Sequence, residues 1–259
     1  MIDSHCHLSQ VDYDIPVDDL VEIAQKEGVE KMLNIACDTG DWDELLKLVK
    51  KHKNVYGAIG IHPEYALRDE SDFLKKIPQI FADNPKLLAV GEIGLDYSDT
   101  SIPPEKQKDL FYKQIQIAHK IKKPIIVHTR DAEEDTLEIL GKAYQLGELK
   151  NSGIIHCFSG SLKLAKETLK MGFYISISGI VTFKSAHTLR EIVKEIPLDR
   201  LLVETDCPWL APEPFRGRKN QPAFVAKTLE KVAELKGISV TELDTITTKN
   251  FNILFKGEK

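Results

Sequence analysis

Cysteine is sparse in this chain. Its four residues, Cys6, Cys37, Cys157 and Cys207, lie far apart and form no Cys-x-x-Cys pair, which argues against a disulfide-stapled scaffold and against a dithiol redox motif. Four free thiols are expected. Long apolar runs are missing too: nothing approaches the roughly 18 apolar residues that would suggest a membrane span. The opening Met1-Ile2-Asp3-Ser4-His5-Cys6-His7 lacks the basic segment and apolar run of a secretory leader. A cytoplasmic protein with no membrane partner is therefore expected. Positive charge is not in excess either. With Lys+Arg 35 against Asp+Glu 40, the formal net charge is -5, which argues against a general basic surface for nucleic acid; phosphate recognition must then be local, through metals or a short basic segment.

No Gly/Ser-rich linker or low-complexity tract divides the 259 residues, so one domain is the simplest organisation, and α/β barrels commonly run this long as a single unit. The composition, 42% hydrophobic and 29% charged, is that of an ordinary globular protein with a large core.

Short β-rich apolar runs alternate with longer helical patterns from end to end. Strands are expected at Ile2 to His7, Lys31 to Ala36, Val55 to Ile61, Leu87 to Glu92, Pro124 to His128, Gly153 to His156, Phe173 to Ile177 and Leu201 to Thr205. Between them, apolar residues at three- and four-residue spacing mark helices at Val17 to Lys26, Trp42 to Lys51, Pro104 to Lys120, Thr136 to Ala143 and Leu162 to Lys170. Eight such alternations favour a parallel sheet closed into a (β/α)₈ TIM barrel, with Ser239 to Phe255 as one or two extra C-terminal helices over one end. A doubly wound open sheet would usually carry a Gly-rich turn after the first strand, and none follows Ile2 to His7.

His5 and His7 stand two apart on a strand, so their imidazoles share a face while Cys6 points away. Each remaining candidate also falls at a strand end: His62 after the third, Glu92 on the fourth, His128 on the fifth, His156 on the sixth and Asp206 after the eighth. In such a barrel the C-terminal ends of the strands gather at one mouth, where catalytic groups assemble. Imidazole plus carboxylate is a ligand set for zinc, manganese or similar ions. His62 fits substrate contact, support of a ligand, or ligation equally well. His52 and His119 lie in lysine-rich helical surroundings and His187 in a loop or helix start, all outside this scheme; Glu204 fits a supporting partner to the metal ligands.

The ordered segments Ile2-Asp3-Ser4-His5-Cys6-His7-Leu8, Gly60-Ile61-His62-Pro63, Gly91-Glu92-Ile93-Gly94-Leu95-Asp96-Tyr97, His128-Thr129-Arg130-Asp131-Ala132, His156-Cys157-Phe158-Ser159-Gly160 and Glu204-Thr205-Asp206-Cys207-Pro208-Trp209-Leu210 resemble the TatD family of metal-dependent deoxyribonucleases across the whole chain. The resemblance implies two divalent cations, Mg, Mn or Zn: one on His5, His7 and Asp206, the other on His128 and His156, with Glu92 bridging both. It also implies DNA as substrate, attacked at single-stranded 3′ ends, with Asp206, Glu92 and His62 as catalytic groups. Asp206 is the expected general base. Arg130 and the segment Arg216-Gly217-Arg218-Lys219-Asn220-Gln221-Pro222 are expected to hold phosphate, through Arg130, Arg216, Arg218 and Asn220. Ser98-Asp99-Thr100 departs from the family, where many relatives carry an aromatic residue and an arginine, which puts a stacking or phosphate contact there in doubt. A small amide, lactone or ester is the alternative substrate class, and a non-catalytic scaffold a third, since one fold hosts many chemistries.

Overall fold

In the computed structural model, which describes residues 1–9, 13–69 and 71–255, the sequence order of the strands is also their spatial order. They are β1 (Ile2–Cys6), β2 (Lys31–Ala36), β3 (Val55–Ile59), β4 (Leu87–Asp96), β5 (Ile125–Arg130), β6 (Gly153–Ile155), β7 (Tyr174–Ile177) and β8 (Leu201–Val203). All seven successive pairings are parallel. The seam between β8 and β1 is drawn shut just beyond the strand ends: Asp206 N donates to His5 O (2.9 Å) and His7 N to Cys207 O (2.9 Å). Beneath these bonds, buried Asp3 accepts from Thr205 N (2.8 Å) and Oγ1 (2.6 Å). The result is a nearly closed eight-stranded barrel.

Helices α1 (Val17–Lys26), α2 (Trp42–Lys51), α3 (Ser71–Asp83), α4 (Pro104–Lys120), α5 (Glu133–Gln145), α6 (Leu162–Lys170), α7 (His187–Glu195) and α8 (Val225–Lys236) surround it. Because both faces of the strands are covered, these read as almost continuous apolar runs. Met32, Val90, Val127 and Ile175 face the helices, whereas alternate residues such as Leu33, Ala89, Ile126 and Leu202 fill the interior. The tail is one helix, α9 (Val240–Phe255), whose Phe251 and Leu254 plug the interior at the N-terminal ends of the strands. Asn250 fixes it there by donating to the carbonyls of Leu198 and Leu201 (2.8 Å each).

Three boundaries differ from expectation in ways that matter for the site. β4 continues past Glu92 to Asp96, because Gly94 (φ +148°) permits a close approach to β5 in which any Cβ would collide with the His128 carbonyl. β6 and β8 stop early, leaving His156 and Asp206 on the loops that follow. The four cysteines are free, as expected, and no helix among the described residues is long and apolar enough to cross a membrane.

Candidate metal centre

All six expected ligands meet at the C-terminal mouth of the barrel. Glu92 is the centre of the arrangement, and its two carboxylate oxygens face different partners. Oε2 lies 3.3 Å from His5 Nε2 and 3.8 Å from His7 Nε2, while Asp206 Oδ1 lies 3.7 and 3.3 Å from those same nitrogens. Oε1 lies 2.8 Å from His128 Nδ1 and 2.6 Å from His156 Nε2. One carboxylate thus spans two clusters of donors.

A second layer of contacts holds these side chains in place. His7 Nδ1 is 3.2 Å from Ile35 O, and His128 Nε2 is 3.0 Å from Asp96 Oδ2. Glu204, fully buried, places Oε1 3.4 Å from His156 Nδ1 and accepts from Cys157 N (2.7 Å). Cys37 Sγ donates to Glu92 Oε2 (3.3 Å). Asp96 and Cys37 were not among the sequence candidates. Asp96 sits in the Gly91–Tyr97 segment four residues after Glu92, hence on the same strand face, which was the available signal; Cys37, just after β2, gave none.

The divergent Ser98 caps Asp96: its amide donates to Asp96 Oδ1 at 2.9 Å. Here the segment therefore supports His128 at one remove.

His62 Nδ1 accepts from Glu64 N (3.2 Å), and its Nε2 stands 3.9 Å from Glu92 Oε1. Burial pulls its pKa down to about 3, against the opposing pull of Glu92. The ring is therefore neutral near pH 7, and with Nδ1 accepting, Nε2 carries the hydrogen. This favours a hydrogen-bond donor facing the cavity over a metal ligand or a base.

The mouth is a cavity of about 630 Å³ lined by the centre and by Arg130, Trp209 and Leu210, among others. The expected phosphate loop does not line it. Arg216 is exposed and its guanidinium lies 3.8 Å from the Phe183 ring centroid; Arg218 is exposed as well. Asn220 is fully buried, donating to Thr205 O (2.8 Å) and Trp209 O (2.7 Å) while its Oδ1 accepts from Gln221 N. Its hydrogen-bonding groups are used in folding the loop, so the expectation that Asn220 touches substrate is corrected. His52 pairs with Asp18, and His119 and His187 are exposed, all away from the centre.

The profile of the TatD related DNase family matches residues 2–256. This chain belongs to the TatD family. It is 41% identical over 256 residues to YabD of Bacillus subtilis, described as an uncharacterised metal-dependent hydrolase, covering 99% of each chain. It is 31% identical to TATDN3 of Mus musculus, named as a candidate deoxyribonuclease, with 98% of this chain and 88% of the mouse protein covered. The crystal structure of the TatD homologue YJJV from Escherichia coli K12 superposes with a TM-score of 0.90 at 29% identity, covering 99% and 98% of the two chains.

The chemistry of the donors fits the divalent cations that the TatD family implies. His5 Nε2 and His7 Nε2 point at each other across 3.0 Å between two carboxylates, an arrangement that a shared cation satisfies better than a single proton. Buried charge tells the same story. Burial pushes the Glu92 carboxyl up, but His156, His128 and His5 outweigh this and hold it well below the usual range. Asp206 is lowered for the same reason, burial being overcome by His7, His156 and His5. Conversely, burial lowers His156, His128 and His7, yet Glu92, Asp96, Glu204 and Asp206 raise all three above the ordinary histidine value. Without a cation, protons on these imidazoles balance the carboxylates.

Ligating nitrogens must give up those protons, so cation binding should release them and weaken as pH falls below neutrality. Calorimetric titration with Mn²⁺ in buffers of different ionisation enthalpy should show net proton release near pH 6.5; heats independent of buffer would contradict this electrostatic account.

Proposed function

We propose that this TatD-family metal-dependent hydrolase is a deoxyribonuclease that cleaves DNA phosphodiesters, trimming single-stranded 3′ ends. The observation that carries the reading is the division of Glu92 between two donor clusters at the floor of an open cavity, the ligand layout of a two-cation phosphodiester site. The mouse relative named as a candidate deoxyribonuclease supports the choice of substrate.

When bound, a pair of divalent cations lowers the pKa of a water and neutralises charge on a phosphoryl oxygen. The chain's own groups supply the rest. Asp206, whose carboxylate stays ionised across neutral pH, accepts the proton of the attacking water as its oxygen bonds to phosphorus and the bond to the leaving 3′ oxygen breaks. His62 presents an N–H for a non-bridging oxygen, and Arg130, at the end of β5 on the cavity wall, anchors phosphate. Glu92 fixes the separation of the two clusters.

A small amide, lactone or ester is the rival, favoured by the acidic net charge and a cavity within the usual small-ligand range. Incubating the metal-loaded protein with labelled single- and double-stranded DNA, RNA and a lactone and ester panel decides between them. Release of mononucleotides from single-stranded DNA supports the proposal; turnover confined to the small substrates overturns it.

Asp206→Asn should bind a single-stranded oligonucleotide almost as the parent does and cleave it at least about a hundredfold more slowly. Near-normal cleavage by a metal-replete Asp206→Asn protein would remove Asp206 as the base. Arg130→Ala should raise KM for the oligonucleotide about tenfold, the loss of one charge-assisted contact. The Arg216→Ala, Arg218→Ala double variant should raise it less; the reverse order would return the phosphate site to that loop.

A further inference from the structure

We propose that the indole of Trp209 is a stacking platform for a nucleobase, so that a base rests on this ring while the adjoining phosphodiester lies over Glu92 and Asp206. The inference rests on the nucleic-acid reading above and extends it to how the site holds a strand without reading its sequence.

The chain has two tryptophans, and they are treated very differently. Trp42 is 3% exposed, meets the Phe73 ring edge-on at 5.8 Å and donates its indole N–H to Gly60 O (3.3 Å). Trp209 is 50% exposed on the wall of the catalytic cavity, and its indole N–H has no partner among the described residues. An indole left half in water forgoes much of the burial that normally makes tryptophan stabilising, and its place at the mouth gives that surface a ligand to cover.

The mounting is rigid and tied to the chemistry. Trp209 follows Asp206 by three residues, and its backbone N–H donates to Asp206 O (3.1 Å). Buried Asn220 ties the Trp209 carbonyl to that of Thr205, on the other side of Asp206. The indole meets the His7 ring at 5.1 Å between centroids with the planes inclined at 68°. The backbone beneath the ring is therefore fixed on both sides and the indole rests against His7, which suits an anchor rather than a mobile flap. Arg130 enters the same cavity from β5, three strands away from β8, so phosphate and base contacts fall on separate walls. Every base offers a π-face, so a single aromatic platform grips single strands irrespective of sequence.

The test uses the metal-loaded protein and a phosphorothioate oligodeoxynucleotide, which resists cleavage. It is compared with an oligomer of equal length in which tetrahydrofuran spacers replace every base. In a Trp42→Phe protein, emission from Trp209 should be quenched on saturation with the base-bearing strand and little altered by the spacer strand. Trp209→Ala, a change at an exposed position, should weaken binding of the base-bearing strand about tenfold, leave spacer binding and metal content as in the parent, and be largely rescued by Trp209→Phe. Equal weakening towards both strands, or saturation without quenching, overturns the stacking role while leaving the nuclease reading intact. Failure of the parent to bind either strand overturns the nucleic-acid reading and this inference with it.

Discussion

The constraint on which the site depends is the burial of one carboxylate, Glu92, among the imidazoles of His5, His7, His128 and His156. A buried charge is tolerated only with close partners, because desolvation costs several kcal/mol per ion. Glu92 has cationic or polar neighbours at both oxygens, with the Cys37 thiol among them. Those neighbours come from the ends of β1, β2, β5 and β6, on both sides of β4 in the barrel, so the site can form only when the barrel does. Three of the four imidazoles in turn have something behind them, Ile35 O for His7, Asp96 for His128 and Glu204 for His156, whereas His5 Nδ1 is buried without a hydrogen-bond partner among the described residues.

The scaffold supports this arrangement at both ends. At the mouth, the bonds between His5 and Asp206 and between His7 and Cys207 tie the β8/β1 seam to the candidate ligands. Asp3 and Thr205 join the same strands one layer below. At the opposite end α9 fills the interior with Phe251 and Leu254, so the barrel is a packed core rather than a pore. An apolar, packed interior beneath the mouth keeps the electrostatic coupling among the candidate ligands strong.

Much of this was legible because the relevant information is periodic. Alternation along β1 put His5 and His7 on one face, and strand-end placement gathered Glu92, His128, His156 and Asp206. The barrel and the helix over its end followed from the alternating pattern. What was hidden depended on contacts between distant segments. β4 runs past its expected end at Glu92 because Gly94 allows a close approach to β5 and carries the strand on to Asp96, a contact that lies outside the local pattern. The Arg216 to Asn220 segment reads as basic and exposed, yet composition does not say where side chains lie. Asn220 turns inward to bind two carbonyls and Arg216 covers Phe183. Trp209 was visible as part of a motif, but its exposure at the mouth belongs to the tertiary structure.

The central claim is that one carboxylate organises two cation sites. Anomalous diffraction from crystals soaked in Mn²⁺ tests it most directly. The account predicts two peaks roughly 3.5 to 4 Å apart, one beside Glu92 Oε2 with His5, His7 and Asp206, the other beside Oε1 with His128 and His156. A single peak, or a second one away from Glu92 with His128 and His156 turned aside, would contradict it.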